Sequence, residues 1–184
     1  MLDVARESNY WYAPAAMELA YLCRMRLCEV LDLTDANELS DGLLIKRRKG
    51  SRNNITEWSP RLRAAWDDSI KKRNEILSKR KQPYPIRPED RFIFISERTG
   101  DKIQASSLKT AISRINHQSE IKAKEQGIDF VHFTFHDLKR KGVSDTEGDK
   151  QKASGHKNAS MLQIYDVKVE KVRPAGEKKT QENL

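Results

Sequence analysis

Ser154-Gly155-His156-Lys157-Asn158-Ala159-Ser160-Met161-Leu162-Gln163-Ile164-Tyr165 closes the patterned part of this 184-residue chain, a glycine-histidine pair followed nine positions later by a tyrosine. Two more pieces lie upstream. Arg26 sits within Cys23-Arg24-Met25-Arg26-Leu27-Cys28-Glu29-Val30-Leu31, and Phe135-His136-Asp137-Leu138-Lys139 gathers a histidine and a lysine three residues apart. Singly each is weak. An isolated tyrosine is most often a core or surface residue, and an isolated histidine a satisfied structural one, the class to which His117 and His132 are assigned.

Composition bounds the answer. The length fits one ordinary domain, able to bury roughly 70% of the surface its unfolded chain exposes. Aliphatic runs are short and broken by charge, so no segment reads as a membrane span. Met1-Leu2-Asp3-Val4-Ala5-Arg6 carries acid as well as base and opens no apolar stretch, unlike a secretory signal. The two cysteines, Cys23 and Cys28, are too few for a disulfide framework and lack the partners a zinc site needs, so no metal is expected and the setting reads as reducing and cytoplasmic. A formal charge of +8 favours a polyanionic partner.

Periodicity predicts a mostly α fold with a small antiparallel β-sheet. A helix is expected from Pro14 to about Leu33, with Met17, Tyr21, Met25 and Cys28 on one stripe. Leu43-Leu44-Ile45 and Ile55-Thr56-Glu57-Trp58 flank a Gly/Asn-rich turn, which reads as a hairpin with a basic tip. Ser59-Pro60 should start a helix whose Leu62, Trp66, Ile70 and Leu77 face inward. The prolines at 83, 85 and 88 make a loop, and Phe92-Ile93-Phe94-Ile95 a short strand. Ser106 or Ser107 should cap a helix running to Gly127 with Leu108, Ile112 and Ile115 buried. Thr134 and Asp137 form a capping box, which puts His136 in a first helical turn with Lys139 on the same face. Short helices are expected over 150–154 and 159–165. Val167 to Leu184 reads as a mobile or partner-docked tail.

In this order and at these separations, the three pieces resemble the catalytic domain of tyrosine recombinases, the phage integrase family. The resemblance runs from Ala15 to Asp166. It implies a lead-in over 1–13 from a missing DNA-clamping domain, a catalytic domain over 14–166 and a tail over 167–184. It implies Tyr165 as the nucleophile that forms a 3′-phosphotyrosyl link, keeping the bond energy so that strands reseal without ATP or cofactor. Arg26 matches the first phosphate-holding arginine and Glu29 the acid that orients it. Lys49, just before Gly50-Ser51, matches the mobile lysine that protonates the leaving 5′ oxygen, although Lys46, Arg47, Arg48 and Arg52 crowd the same tip. His136 matches the histidine of the His-x-x-Arg box, and His156 the later His/Trp position.

One residue departs from the pattern. The second arginine should follow His136 by three, and this chain has Lys139, which keeps the charge and loses the planar fork. Arg140 lies about 100° round the helix. Arg47, Arg48, Arg52 and Arg140 are expected to bind DNA. The implied activity is site-specific cleavage and rejoining of double-stranded attachment sites by a bacterial or phage-encoded integrase, a homo-tetramer on DNA and a monomer when free, with no membrane involved. Two rivals remain: a weakened integrase remnant that binds DNA, and a relaxing enzyme of the type IB topoisomerase class.

Overall fold

The computed structural model describes residues 2–48, 51–80, 83–155 and 157. Its centre is α2 (Tyr12–Leu22), whose Ala13, Ala16, Met17, Leu19 and Ala20 are all buried. A helix that is apolar nearly all round belongs inside, and its four alanines let neighbours come close. Around it pack α1 (Leu2–Glu7), α3 (Leu27–Leu31), α4 (Pro60–Arg80), α5 (Ala105–Glu125) and α6 (Phe135–Ser144). Residues 2–13, expected as a lead-in, carry α1, whose Val4 and Ala5 join the core against α2 and α5.

The hairpin is as expected. Strands β1 (Gly42–Ile45) and β2 (Asn54–Glu57) pair antiparallel, with Leu43 opposite Thr56 and Ile45 opposite Asn54. Helix α4 starts at Pro60, and Ser59 Oγ accepts from the Leu62 N–H at 3.2 Å. Its buried stripe is Leu62, Trp66, Ser69, Arg73 and Ile76, so Ile70 and Leu77 are only half-buried. Arg73 on that stripe spends its guanidinium on Asp35 and the Arg91 carbonyl.

Two elements differ from expectation. The helix expected over 14–33 breaks at Cys23–Arg26. Arg24 adopts the left-handed conformation (φ 52°), the Met25 N–H returns to the Ala20 carbonyl at 2.9 Å and the Arg24 N–H to Tyr21 at 3.3 Å. That pair of bonds is a Schellman ending, a site where glycine is usual. The segment 92–95 forms no ladder. Phe92 bridges to Thr34 at one end, and Ile95 bridges to Lys102 at the other. Because its two ends meet different neighbours, its buried Ile93 and Phe94 pack without a continuous partner strand. Helix α5 also begins one residue ahead of Ser106, with Gln104 as N-cap and Leu108, Ile112 and Ile115 buried as expected. The short helix α7 (Lys150–Ser154) follows α6, while the helix expected over 159–165 and the tail from 167 lie outside the described residues.

Helices α2 and α6 touch at Gly142, where an added Cβ would sit 2.2 Å from the Tyr21 carbonyl oxygen. Backbone cannot yield there, so Gly142→Ala should destabilise the fold by about 1–3 kcal/mol. Urea unfolding followed by circular dichroism measures it; an unchanged midpoint would mean the two helices slide apart freely.

Candidate active site

Helix α3 begins at Arg26 because Glu29 reaches back to it. The Arg26 N–H donates to Glu29 Oε2 at 2.8 Å, satisfying one of the donors a helix start leaves open, and the Arg26 guanidinium donates to Oε1 at 2.7 Å. Glu29 is only 2% exposed and accepts two further bonds, from the Arg47 guanidinium at 3.3 Å and the Arg48 N–H at 3.2 Å. Burial pushes the Glu29 carboxyl up, but the Arg26 bonds, the Arg47 charge and the Arg48 N–H outweigh it, and its pKa lies below the ordinary value. The carboxylate is therefore ionised and its oxygens are spoken for. Arg26 keeps one edge at the surface and, with His136, lines a cleft of about 770 Å³ between α3, α5 and the start of α6.

The capping box places the second group. The Thr134 N–H donates to Asp137 Oδ2 at 2.8 Å, and these Thr134 bonds hold the Asp137 carboxyl below its usual pKa. His136 is exposed in the first turn of α6; partial desolvation and then the Lys139 charge lower its pKa, which favours the neutral ring. Lys139 is fully buried. Burial first, then the nearby Arg26 charge, push its ammonium down to about 7, with Glu29 opposing and Arg47 adding to the drop. Arg26, Glu29, His136 and Lys139 thus come within electrostatic reach of one another, from two elements more than 100 residues apart. Lys49, His156 and Tyr165 lie outside the described residues.

The four arginines expected to bind DNA separate into two groups. Arg48, Arg52 and Arg140 keep exposed or half-exposed side chains; Arg48 pairs with Asp32, and Arg140 lies 3.6 Å from Asp137. Arg47 does not belong with them. Its side chain is wholly buried, and its five N–H donors meet five protein acceptors: Asn54 Oδ1 (3.1 Å), the Arg24 carbonyl (2.6 Å), Glu29 Oε2 (3.3 Å), the Cys23 carbonyl (2.8 Å) and the Ala153 carbonyl (3.4 Å). No donor remains for a phosphate. Leu43 and Ile45 are buried as well, so Arg47 simply continues the inward face of β1. That alternation was the signal for its burial. Arg24 and Asn54, which share the Ala153 carbonyl with Arg47, had no comparable signal. Among the described residues, no group of three His, Cys, Asp or Glu side chains could hold a metal ion. Nor is any described helix long and apolar enough to cross a membrane.

The Lys139 shift has a stability consequence. The folded protein releases this proton near pH 7, whereas the unfolded chain keeps it up to the ordinary lysine value of 10.5. Between those values the unfolded state binds more protons, so stability should rise with pH, and the cost of burying the charge should be fully felt below 7. Urea unfolding from pH 6.5 to 9.5 should show a rise that Lys139→Met reduces; parallel curves for parent and variant would contradict the shift.

Residues 1–171 match the family model described as the phage integrase family. A search of curated protein sequences finds no significant match. Among solved structures, the crystal structure of XerA recombinase superposes with a TM-score of 0.66 at 17% identity, covering 91% of this chain and 57% of that one. A lambda integrase (75–356) dimer bound to a COC′ core site gives 0.64 at 18% identity, covering 94% and 59%. The lambda integrase catalytic core gives 0.58 at 18% identity, covering 84% and 85%. The chain thus spans less than two thirds of the first two structures and most of the isolated core. These likenesses support the fold, a mostly helical body with a two-stranded antiparallel sheet as in tyrosine recombinase catalytic domains, and with the family match over nearly its whole length this chain belongs to the phage integrase family.

Proposed function

We propose that the chain is the catalytic core of a site-specific DNA recombinase that cuts and rejoins strands through a 3′-phosphotyrosyl intermediate. The observation that carries this reading is a cleft lined by Arg26 and His136, with Glu29 and Lys139 buried close enough to act on them, in a fold of this family. Breaking a phosphodiester builds charge on the non-bridging oxygens, so fixed cationic donors in a water-poor site supply the largest effect on rate. Arg26, held flat by Glu29, offers a fork to those oxygens. Lys139 regains full charge when a phosphate arrives beside it, since an anion favours the protonated form. His136, neutral beforehand, can accept the phenolic proton or donate to an oxygen. In this reading Tyr165 attacks, Lys49 protonates the leaving 5′ oxygen, and His156 completes the phosphate pocket. Exposed Arg48, Arg52 and Arg140 meet the DNA backbone, and the active assembly is a tetramer on two attachment sites, as expected of a phage-type integrase.

Tyr165→Phe should abolish covalent attachment to DNA while leaving affinity nearly unchanged, because the hydroxyl adds no net charge for binding. The assay is a pool of nicked duplexes with randomised cores, resolved on a denaturing gel. An adduct that persists in the variant would remove Tyr165 from the mechanism.

Lys139 favours a second reading, a remnant that binds DNA and cuts poorly, since lysine replaces the bidentate arginine. Lys139→Arg decides between them in single-turnover cleavage of the same pool. A working lysine pocket, closed around an ammonium, gives no gain or a loss. A decayed site gains about tenfold to a thousandfold, the scale of one restored transition-state donor.

A further inference from the structure

The Ala153 carbonyl, in the last turn of α7, accepts three side-chain donors at once: Asn54 Nδ2 at 2.7 Å, Arg24 Nε at 3.1 Å and Arg47 at 3.4 Å. Two residues later the chain turns at Gly155, which is left-handed (φ 72°) and accepts from the Arg52 N–H at 2.8 Å. An added Cβ there would lie 2.4 Å from the Arg52 carbonyl oxygen and 3.3 Å from Arg47 Cγ. The hairpin, through residues 47, 52 and 54, and the α2–α3 break, through residue 24, therefore both meet the end of α7. Two guanidinium groups also face the negative end of the helix, where its last carbonyls have no intrahelical partner.

We propose that Arg47 is a positioning residue for the phosphate site, fixing the Arg26–Glu29 pair relative to the α7 end from which Gly155-His156 departs. One guanidinium links Glu29 to the end of α7. Its Nη1 meets the Glu29 carboxylate that orients Arg26, and its Nη2 meets the Cys23 and Ala153 carbonyls. The rigid planar fork matters because five acceptors on four separate segments converge on it. Arg24 supports the same junction from the helix break, donating to Ala153 while its own carbonyl accepts from Arg47. The proposal rests on the reading of Arg26 and His156 as phosphate ligands.

Arg47→Lys keeps the charge and loses the fork. Asn54→Ala cuts the same junction at an uncharged, half-buried position, which guards against a variant that fails to fold. Both should slow single-turnover adduct formation on the nicked duplex pool by tenfold or more, with affinity for that pool within twofold of the parent. Amide exchange at Arg52, Ala153 and Gly155 should speed up while α4 and α5 stay protected. Adducts forming at the parental rate in both folded variants would overturn the positioning role, and an affinity loss beyond tenfold would make Arg47 a DNA ligand instead. A parent protein that forms no adduct sinks the recombinase reading and the role together. In that case, accelerated exchange in the variants would still separate a junction that exists from one that does not.

Discussion

A carboxylate with almost no water around it organises this molecule. Glu29 starts α3, aims Arg26 and neutralises Arg47, and it does all three with two oxygens. Burying one charge alone is costly, and a buried pair holds only when geometry and further hydrogen bonds satisfy both partners. Here each partner is saturated: the carboxylate by two backbone N–H groups and two guanidinium groups, Arg47 by carbonyls and Asn54. Removing Glu29 would leave the buried Arg47 charge without its counter-ion, whereas removing Arg47 would leave Glu29 paired with Arg26 alone. Through Arg47 this exchange of charge ties α3 to the backbone of the α2–α3 break and to the end of α7.

Around that fixed centre the remaining cations differ in how firmly they hold their protons. An arginine guanidinium as a class holds its charge over the ordinary pH range, while Lys139, buried among like charges, sits near the balance point. An arginine at 139 would remain charged against its neighbours with no phosphate present. A lysine can shed that repulsion in the empty site and recover the charge when an anion enters. In the proposed mechanism the departure from arginine exchanges a stronger grip for a lower resting cost.

Local chemistry made much of this legible in advance. Ser59-Pro60, the Thr134–Asp137 box and the turn at 50–54 each carry their own start or stop signal, and the elements they flank are present. What sequence reading missed depends on distant partners. Phe92 to Ile95 has strand composition, but pairing needs a neighbour along its length, and it meets a different segment at each end. The helix break at Arg24 runs against propensity, since arginine prefers to continue a helix. For Arg47, the alternation through Leu43 and Ile45 speaks for burial, while the run of bases from 46 to 49, taken by charge alone, points to the surface. At the site, Arg26, Glu29 and the His136–Lys139 spacing could be picked from the chain. Their convergence required the fold.

Arg24 carries a consequence for any attempt to improve the protein. Its left-handed backbone costs on the order of 1 kcal/mol for a residue with a Cβ, and glycine at that position would relax it. A search for heat-resistant variants, scoring only whether the chain stays folded, would tend to select that replacement. The same replacement would remove the side chain that grips Ala153, Thr146 and Thr56. Robustness and mechanical linkage therefore pull this residue in opposite directions, and the strained arginine marks where linkage has been kept.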